Sequence, residues 1–203
     1  MDRKYKGIPA ENPSAGGPSQ AASAAAFTAA PISASSGSVP EITVRRATAL
    51  DIDRIFKLTS GMAKKELMLS RSKYKIITML NDFMVAEDRH GTILGCGAFS
   101  VLWTDLGEIC ALAVDDRHQK QGIGGLLVKA LMEEGRRMKV PNIMALTYQV
   151  DFFRKMGFQV TNKDKFPRKV WRECLECPKL EECDETAVYL SLETPCIPGT
   201  EGV

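Results

Sequence analysis

The sequence predicts an α/β domain of the α+β kind, with a mixed central β-sheet flanked by helices. Two observations carry that expectation. Short apolar runs of strand length alternate with helical periodicities in the order β-α-α-β-β-β-α-β-α-β, followed by a last strand candidate at ETAVYLSL. Between a buried strand pattern and an amphipathic helix pattern stands the glycine-rich turn QKQGIGG.

The elements follow one another from Glu41. EITVRRA alternates apolar Ile42 and Val44 with polar neighbours, as a half-buried strand does, and Thr48 with Asp51 forms a capping pair for a helix whose apolar face is Ile52, Ile55, Phe56 and Leu58. A second helical stretch after AKKELMLSRS carries Ile76, Ile77 and Leu80. FMVAE and TILGCGAFSVLW are strands joined through DRHG, a hairpin connection. GEICALAVDD reads as a buried strand, and LLVKALMEEGRRMK as a helix with Ile123, Leu127, Ala130, Leu131 and Met138 on its apolar face. NIMALTY is a strand, VDFFRKM a short helix stopped by Gly157, and FQV the start of another strand.

At 203 residues the chain has room for one ordinary core. Apolar residues make up 44% and charged residues 26%, the balance of a soluble globular protein. A net charge of +2 without a clustered basic face gives no reason to expect nucleic acid or a membrane surface as partner, and no run approaches the roughly 18 apolar residues of a membrane span. Arg3, Lys4 and Lys6 are not followed by a compact apolar run, which argues against a secretory signal and for the cytoplasm. Residues 1–40 are rich in Ala, Ser, Gly and Pro and are expected to be a disordered tail; residues 41–192 form the domain, including a cysteine-rich segment at 171–185, and 193–203 a flexible end.

The turn is the most informative segment. A helix N-terminus offers unpaired N–H groups and the positive end of the macrodipole, so glycines there let an anion approach closely. Backbone amides of Gln119, Lys120, Gln121, Gly122, Ile123, Gly124 and Gly125 are the candidates to hold a diphosphate, with Lys120 as a nearby cation. The pattern is neither a dinucleotide GxGxxG nor a P-loop, which argues against nucleotide hydrolysis; its plain alternative is an ordinary strand-to-helix turn.

Gln119, Gly122 and Gly124 fall in register with the Q/R-x-x-G-x-G/A signature of GNAT N-acetyltransferases, and FFRKMGF resembles that family's helix-to-strand segment ending in Gly-Phe. The resemblance covers roughly Ile42 to Leu192. It implies a GNAT fold whose central strands splay around acetyl-CoA as co-substrate, the diphosphate on the turn and the pantetheine arm beside Leu112, Ala113 and Val114. AKKELMLSRS, VLWTDLGEICALAV, ALTYQVDFFRKMGF and KVWRECLECPKLEECDE further resemble the acetyltransferase domain of bacterial N-acetylglutamate synthases, especially the short form without a kinase domain. That likeness implies acetyl transfer to the α-amine of L-glutamate, the first step of arginine biosynthesis.

Acetyl transfer needs a neutral amine, and an α-amino group of pKa near roughly 8 is largely protonated at neutral pH. Glu108, where many GNAT enzymes keep a carboxylate, is the candidate base; its alternative is a solvated acid at a strand end. The N–H of Ala113 or Val114 is the candidate for stabilising the oxyanion. Phe153 stands where many GNAT enzymes have an acidic tyrosine, so either Tyr148 protonates the leaving thiolate or the thiolate departs unaided. Glutamate presents two carboxylates, for which Arg71 is the first candidate cation, with Ser72 and Lys65 beside it and Lys64, Arg154 and Lys155 as further options. In the long synthases an arginine occupies the position of Tyr148. Cys174, Cys177 and Cys183, with Cys196 as a fourth, have zinc-like spacing, but reduced thiols are the preferred reading, no metal is required for catalysis, and His90 and His118 are read as loop residues. A homodimer is compatible with all of this. The alternatives kept open are another acceptor, such as a different amino acid, a peptide N-terminus or a polyamine, and a non-catalytic acyl-CoA-binding module.

Overall fold

The computed structural model describes residues 41–166, 174–177 and 179–192. The expected tail at 1–40, the end at 193–203, Cys196 and part of the cysteine-rich segment lie outside them. The elements run β1 (Thr43–Arg46), α1 (Ile52–Ala63), α2 (Lys73–Thr78), β2 (Phe83–Glu87), β3 (Ile93–Trp103), β4 (Leu106–Val114), α3 (Ile123–Arg137), β5 (Asn142–Thr147), α4 (Val150–Lys155), β6 (Gln159–Thr161) and β7 (Thr186–Ser191). They build a seven-stranded sheet in the order β1-β2-β3-β4-β5-β7-β6. Every neighbouring pair is antiparallel except β4 and β5.

Each face of the sheet is covered by its own helices. Ile55 and Leu58 of α1 and Ile76 and Met79 beside α2 pack on Phe83, Val85, Cys96 and Ala98. On the other face Val128 and Leu131 of α3 and Phe153 of α4 meet Phe99, Ile109, Ile143, Ala145 and Val188. Ile42 and Val44 close this side with Ile123 and Leu127. The bend from β1 into α1 is fixed electrostatically: Asp51 accepts from the Thr48 N–H at 2.8 Å and from both terminal nitrogens of Arg45 at 2.7 and 3.1 Å. The Arg45 hydrogen bond pulls the Asp51 carboxyl down to about 2, against the opposing effect of burial.

Two helix faces differ from expectation at their ends. Ile77 is 52% exposed, because a six-residue helix turns only one side inward and Ile76 and Met79, three apart, occupy it. Met138 is 45% exposed because α3 ends before it, and Val128 takes the inward position instead.

Close approach of side chains to the sheet requires glycine at particular points. A Cβ at Gly97 would stand 2.9 Å from Leu131 Cδ1, and one at Gly107 only 2.3 Å from Phe99 Cζ. Phe99 is itself buried, with 2% exposure, so it has no free volume into which to retreat. Gly107→Ala is therefore expected to destabilise the fold by about 1 to 3 kcal/mol, read as a lowered urea midpoint at unchanged slope.

Candidate functional site

Two breaks in sheet regularity meet on β4. Its ladder with β5 holds for the pairs Gly107↔Ile143 and Glu108↔Met144 and goes no further, so the two parallel strands part beyond Glu108. The second break lies against β3, where Ala98 pairs Cys110 but Cys96 pairs Ala113. One extra residue is therefore taken up on β4, and Ala111 sits at φ +52. A non-glycine residue in that region costs on the order of 1 to 3 kcal/mol, a strain that tends to mark functional segments. The bulge reverses the strand's alternation. Cys110 and Ala111 both face the α1 side, after which Leu112 and Val114 face α3 and Ala113 faces α1.

At the end of β4 the chain enters the glycine turn. A single turn of 3-10 helix at Asp116–His118 leads to extended Gln119, then Lys120 at φ +61 and Gly122 at φ +84, and α3 starts at Ile123. Gln119, Lys120, Gln121 and Gly122 are exposed. Among the described residues no backbone carbonyl accepts from the amides of 119–125; the first such bond into the helix is Leu126 N–H to Gly122 O. Left-handed residues beside a helix N-terminus turn consecutive amides toward one point, an anion nest. Space is also kept open: a Cβ at Gly122 would meet nothing within 4 Å. One at Gly124 would sit 3.4 Å from the Phe152 ring, so that ring walls the nest.

The turn is held from behind by residues the sequence reading passed over. Arg54 of α1 donates from Nε to Ile93 O at 2.8 Å and from a terminal nitrogen to Asp115 at 2.7 Å. Asp115 also accepts from the Arg117 N–H at 3.1 Å, and these partners, Arg54 first, hold its carboxyl far below the usual carboxylate range. Asp116 accepts from Lys65 at 2.5 Å and from Gln119 Nε2 at 3.0 Å. Lys65, expected on the acceptor side, is thus tied to the turn. Charge alternation in VDDRH was the available signal for this clamp, but its partner on α1 is 61 residues away.

Glu108 is buried, with 3% exposure, so it is not the solvated strand-end acid of the plain alternative. It lies on the α1 side of the sheet, flanked across the strands by Ser100 and Met144. From Glu108 to Val114, the last residue of β4 before the turn, is roughly 20 Å along the strand. Arg71 is also buried, with 7% exposure, and its charge acts on Cys96, whose thiol burial pushes up to about 12. Cys96 belongs to the α1-side core, the face that Glu108 also shares.

Other expected residues are spread more widely. Ser72 caps α2 by accepting from the Lys75 N–H at 3.1 Å. Tyr148, just past β5, donates to Asp184 at 2.6 Å and accepts from Lys179 at 3.4 Å. The Asp184 hydrogen bond, chiefly, raises the phenol pKa and makes it a poorer acid. Phe153 is buried edge-on between Phe152 and Phe158. Lys64 is exposed at the end of α1, Lys155 at the end of α4, and Arg154 lies 3.5 Å from Asp151 on the outer side of α4. His90 is exposed, whereas His118 packs 3.6 Å from Asp115. Cys96 and Cys110 are buried, and Cys174, Cys177 and Cys183 are half-buried. Among the described residues no group of His, Cys, Asp or Glu is placed to hold a metal, and no helix is long and apolar enough to cross a membrane.

A sheet opened between parallel strands, with an anion nest at the end of one of them, defines a scaffold for carrying an acyl group on a long phosphorylated arm. The profile of the Acetyltransferase (GNAT) family matches residues 53–158, and the chain belongs to that family. It is 40% identical over 153 residues to an uncharacterised N-acetyltransferase of Chlorobaculum tepidum, covering 73% of this chain and 96% of that protein. To an amino-acid acetyltransferase of Mycobacterium tuberculosis it is 37% identical over 117 residues, 57% of this chain and 67% of the relative. N-acetylglutamate synthase from Neisseria gonorrhoeae, solved with coenzyme A and N-acetyl-glutamate, superposes with a TM-score of 0.66 at 25% identity, over 75% of this chain and 35% of the synthase. The protein is a GNAT N-acetyltransferase, and its acetyl donor is acetyl-CoA.

Removing the clamp should loosen the nest without touching the acceptor face. Arg54→Gln is expected to raise KM for acetyl-CoA about tenfold, the loss of roughly 1.4 kcal/mol, with kcat changed far less; steady-state kinetics over acetyl-CoA concentration reads it.

Proposed function

We propose that this acetyltransferase acts on the α-amine of L-glutamate, the reaction that opens arginine biosynthesis. The observation that carries the reading is the burial of an acid at the last β4–β5 pair, Glu108, and of an arginine, Arg71, whose charge reaches Cys96 on the face of the sheet that Glu108 shares. The likeness to amino-acid acetyltransferases supports the choice of acceptor class.

In this reading the diphosphate of acetyl-CoA rests on the amides of Gln119 through Gly125, and its pantetheine arm runs beside Leu112, Ala113 and Val114 into the gap between the strands. Lys120 adds a cation at the rim. Glu108, directly or through water, takes a proton from the ammonium group and leaves a lone pair on nitrogen. That nitrogen attacks the thioester carbon, and the N–H of Ala113 or Val114 stabilises the negative oxygen of the tetrahedral intermediate. Collapse breaks the C–S bond and expels CoA as thiolate, and the nitrogen gives up to water the extra proton it has carried since the attack. Arg71 matches a carboxylate of the acceptor with its planar fork, and the Ser72 hydroxyl stands next to it.

Tyr148 has its proton engaged by Asp184, so the thiolate leaves unaided, as a weak base can. Tyr148→Phe is then expected to keep kcat within about threefold of the native value, whereas a general acid would cost roughly 10² or more.

The native protein should release CoA when acetyl-CoA and L-glutamate are both present. Glu108→Gln is expected to lower kcat by roughly 10² or more, the lost rate partly recovered at high pH where the amine deprotonates by itself. Arg71→Ala should raise the glutamate KM by one to two orders of magnitude, about the worth of a charged hydrogen bond, while the acetyl-CoA KM stays put. Turnover of polyamines or peptides with none on glutamate would replace the acceptor. Thermal stabilisation by acetyl-CoA with no turnover of any amine would instead favour a non-catalytic acyl-CoA-binding module.

A further inference from the structure

A base with 3% exposure has a problem that a solvated one does not: the proton it takes must leave before the next cycle. Ser100 stands directly across from Glu108 in the β3–β4 ladder and is itself only 2% exposed. Opposed residues of an antiparallel pair project to the same face with Cβ atoms roughly 4.5 to 5.5 Å apart, within reach of a glutamate side chain directly or through one water. The Ser100 hydroxyl donates to Asp82 Oδ2 at 2.7 Å. Asp82 ends the 3-10 turn Leu80–Asp82 before β2 and is half-buried, so its carboxylate reaches from the interior to solvent.

The direction of that bond is informative. A hydroxyl has one proton and two lone pairs, and an ionised carboxylate can only accept. With its proton committed to Asp82, Ser100 has only lone pairs left for Glu108. They suit a protonated carboxyl, which donates, better than a carboxylate, which cannot.

We propose that Ser100 and Asp82 are the proton exit of the acetyl-transfer site, acting on Glu108 as positioning and relay residues. The inference rests on Glu108 being the base. Once the amine proton is on Glu108, its O–H bond breaks as a new O–H forms at Ser100 Oγ, while the original Ser100 proton passes to Asp82 Oδ2. Glu108 returns to carboxylate, Asp82 becomes the acid, and water removes its proton. No electrons move beyond these bonds, and nothing other than water is consumed.

The test compares Ser100→Ala, Ser100→Thr, Asp82→Asn and Glu108→Gln in the full-length protein, measuring CoA release with acetyl-CoA and each of the twenty amino acids. Asp82→Asn keeps an oxygen to accept from Ser100, so it preserves the bond while abolishing proton uptake. Ser100→Ala and Asp82→Asn are expected to lower kcat about tenfold, less than the roughly 10² or more for loss of the base. KM for acetyl-CoA and the melting temperature of Asp82→Asn should be unchanged, and Ser100→Thr, which restores a hydroxyl, should recover most of the rate. The solvent deuterium isotope effect on kcat should rise in Asp82→Asn as proton departure becomes limiting. If Ser100→Ala and Asp82→Asn turn over like the native protein while Glu108→Gln does not, the exit is wrong and the base stands. Equal loss in Ser100→Ala and Ser100→Thr, with a native rate in Asp82→Asn, would reduce the pair to a packing contact. Native turnover in Glu108→Gln, or no turnover of any amino acid by the native protein, would overturn both readings.

Discussion

The parting of β4 from β5 is the constraint on which the site depends. Two parallel pairs hold the strands together at Gly107 and Glu108, and beyond them each strand has one edge without a strand partner there. Unpaired edges are ordinarily a liability, since peptide groups want partners and seek them in other chains. Here they border the gap that opens between β4 and β5 beyond Glu108. The bulge at Ala111 is coupled to this geometry. By reversing the alternation it sends Ala113 to the α1 side and Leu112 and Val114 to the α3 side, so one short strand contributes to the core on both faces.

Two consecutive aspartates beside a cluster of exposed amides would repel any anion brought there if their charges stood alone. The structure answers with charge pairing. Asp115 is enclosed by Arg54 and Arg117, and Asp116 by Lys65 and the Gln119 amide. Counted with Lys120, four cations surround two acids, and the surroundings of the turn remain positive. The acids act as anchors, giving α1 and the segment after it a fixed grip on a turn that otherwise has exposed residues throughout. The Arg54 pair, with both side chains largely sheltered, carries more of that grip than the exposed Lys65 pair, which water screens.

Much of this was legible in the residues. Strand and helix order followed from periodicity because each element buries one face, and Gly157 at φ +94 ends α4 as a helix-stopping glycine does. QKQGIGG was readable as a strand-to-helix turn because glycines and a following amphipathic run are local signals, and the chain does turn there into α3. Glu108 could be singled out at the start of its strand, but its burial between Ser100 and Met144 of the neighbouring strands is something no local pattern reveals. The long-range pairs were invisible for the same reason: Arg54 with Asp115, Ser100 with Asp82, and Tyr148 with Asp184 join residues that only the fold brings together. Lys65, picked out by its nearness in sequence to Arg71, pairs across 51 residues with Asp116 of the turn, a contact that local sequence does not reveal.

Charge also narrows the acceptor. A buried arginine is costly unless something negative or strongly polar meets it, and it repels any cation brought to the same face. Polyamines would bring two or more positive charges toward Arg71 and lose affinity for that reason. An amino acid brings a carboxylate at a fixed distance from its reacting nitrogen. The α-carboxylate lies two bonds from the nucleophile, so a fork that holds it also aims the amine, which converts binding energy into orientation at the thioester carbon. Lys65 is occupied by Asp116 and Lys179 sits beside Tyr148 and Asp184, so neither is a bare cation waiting for a second carboxylate. In the proposed reaction, discrimination between glutamate and its uncharged analogues is assigned chiefly to Arg71, whose fixed charge favours the more anionic acceptor.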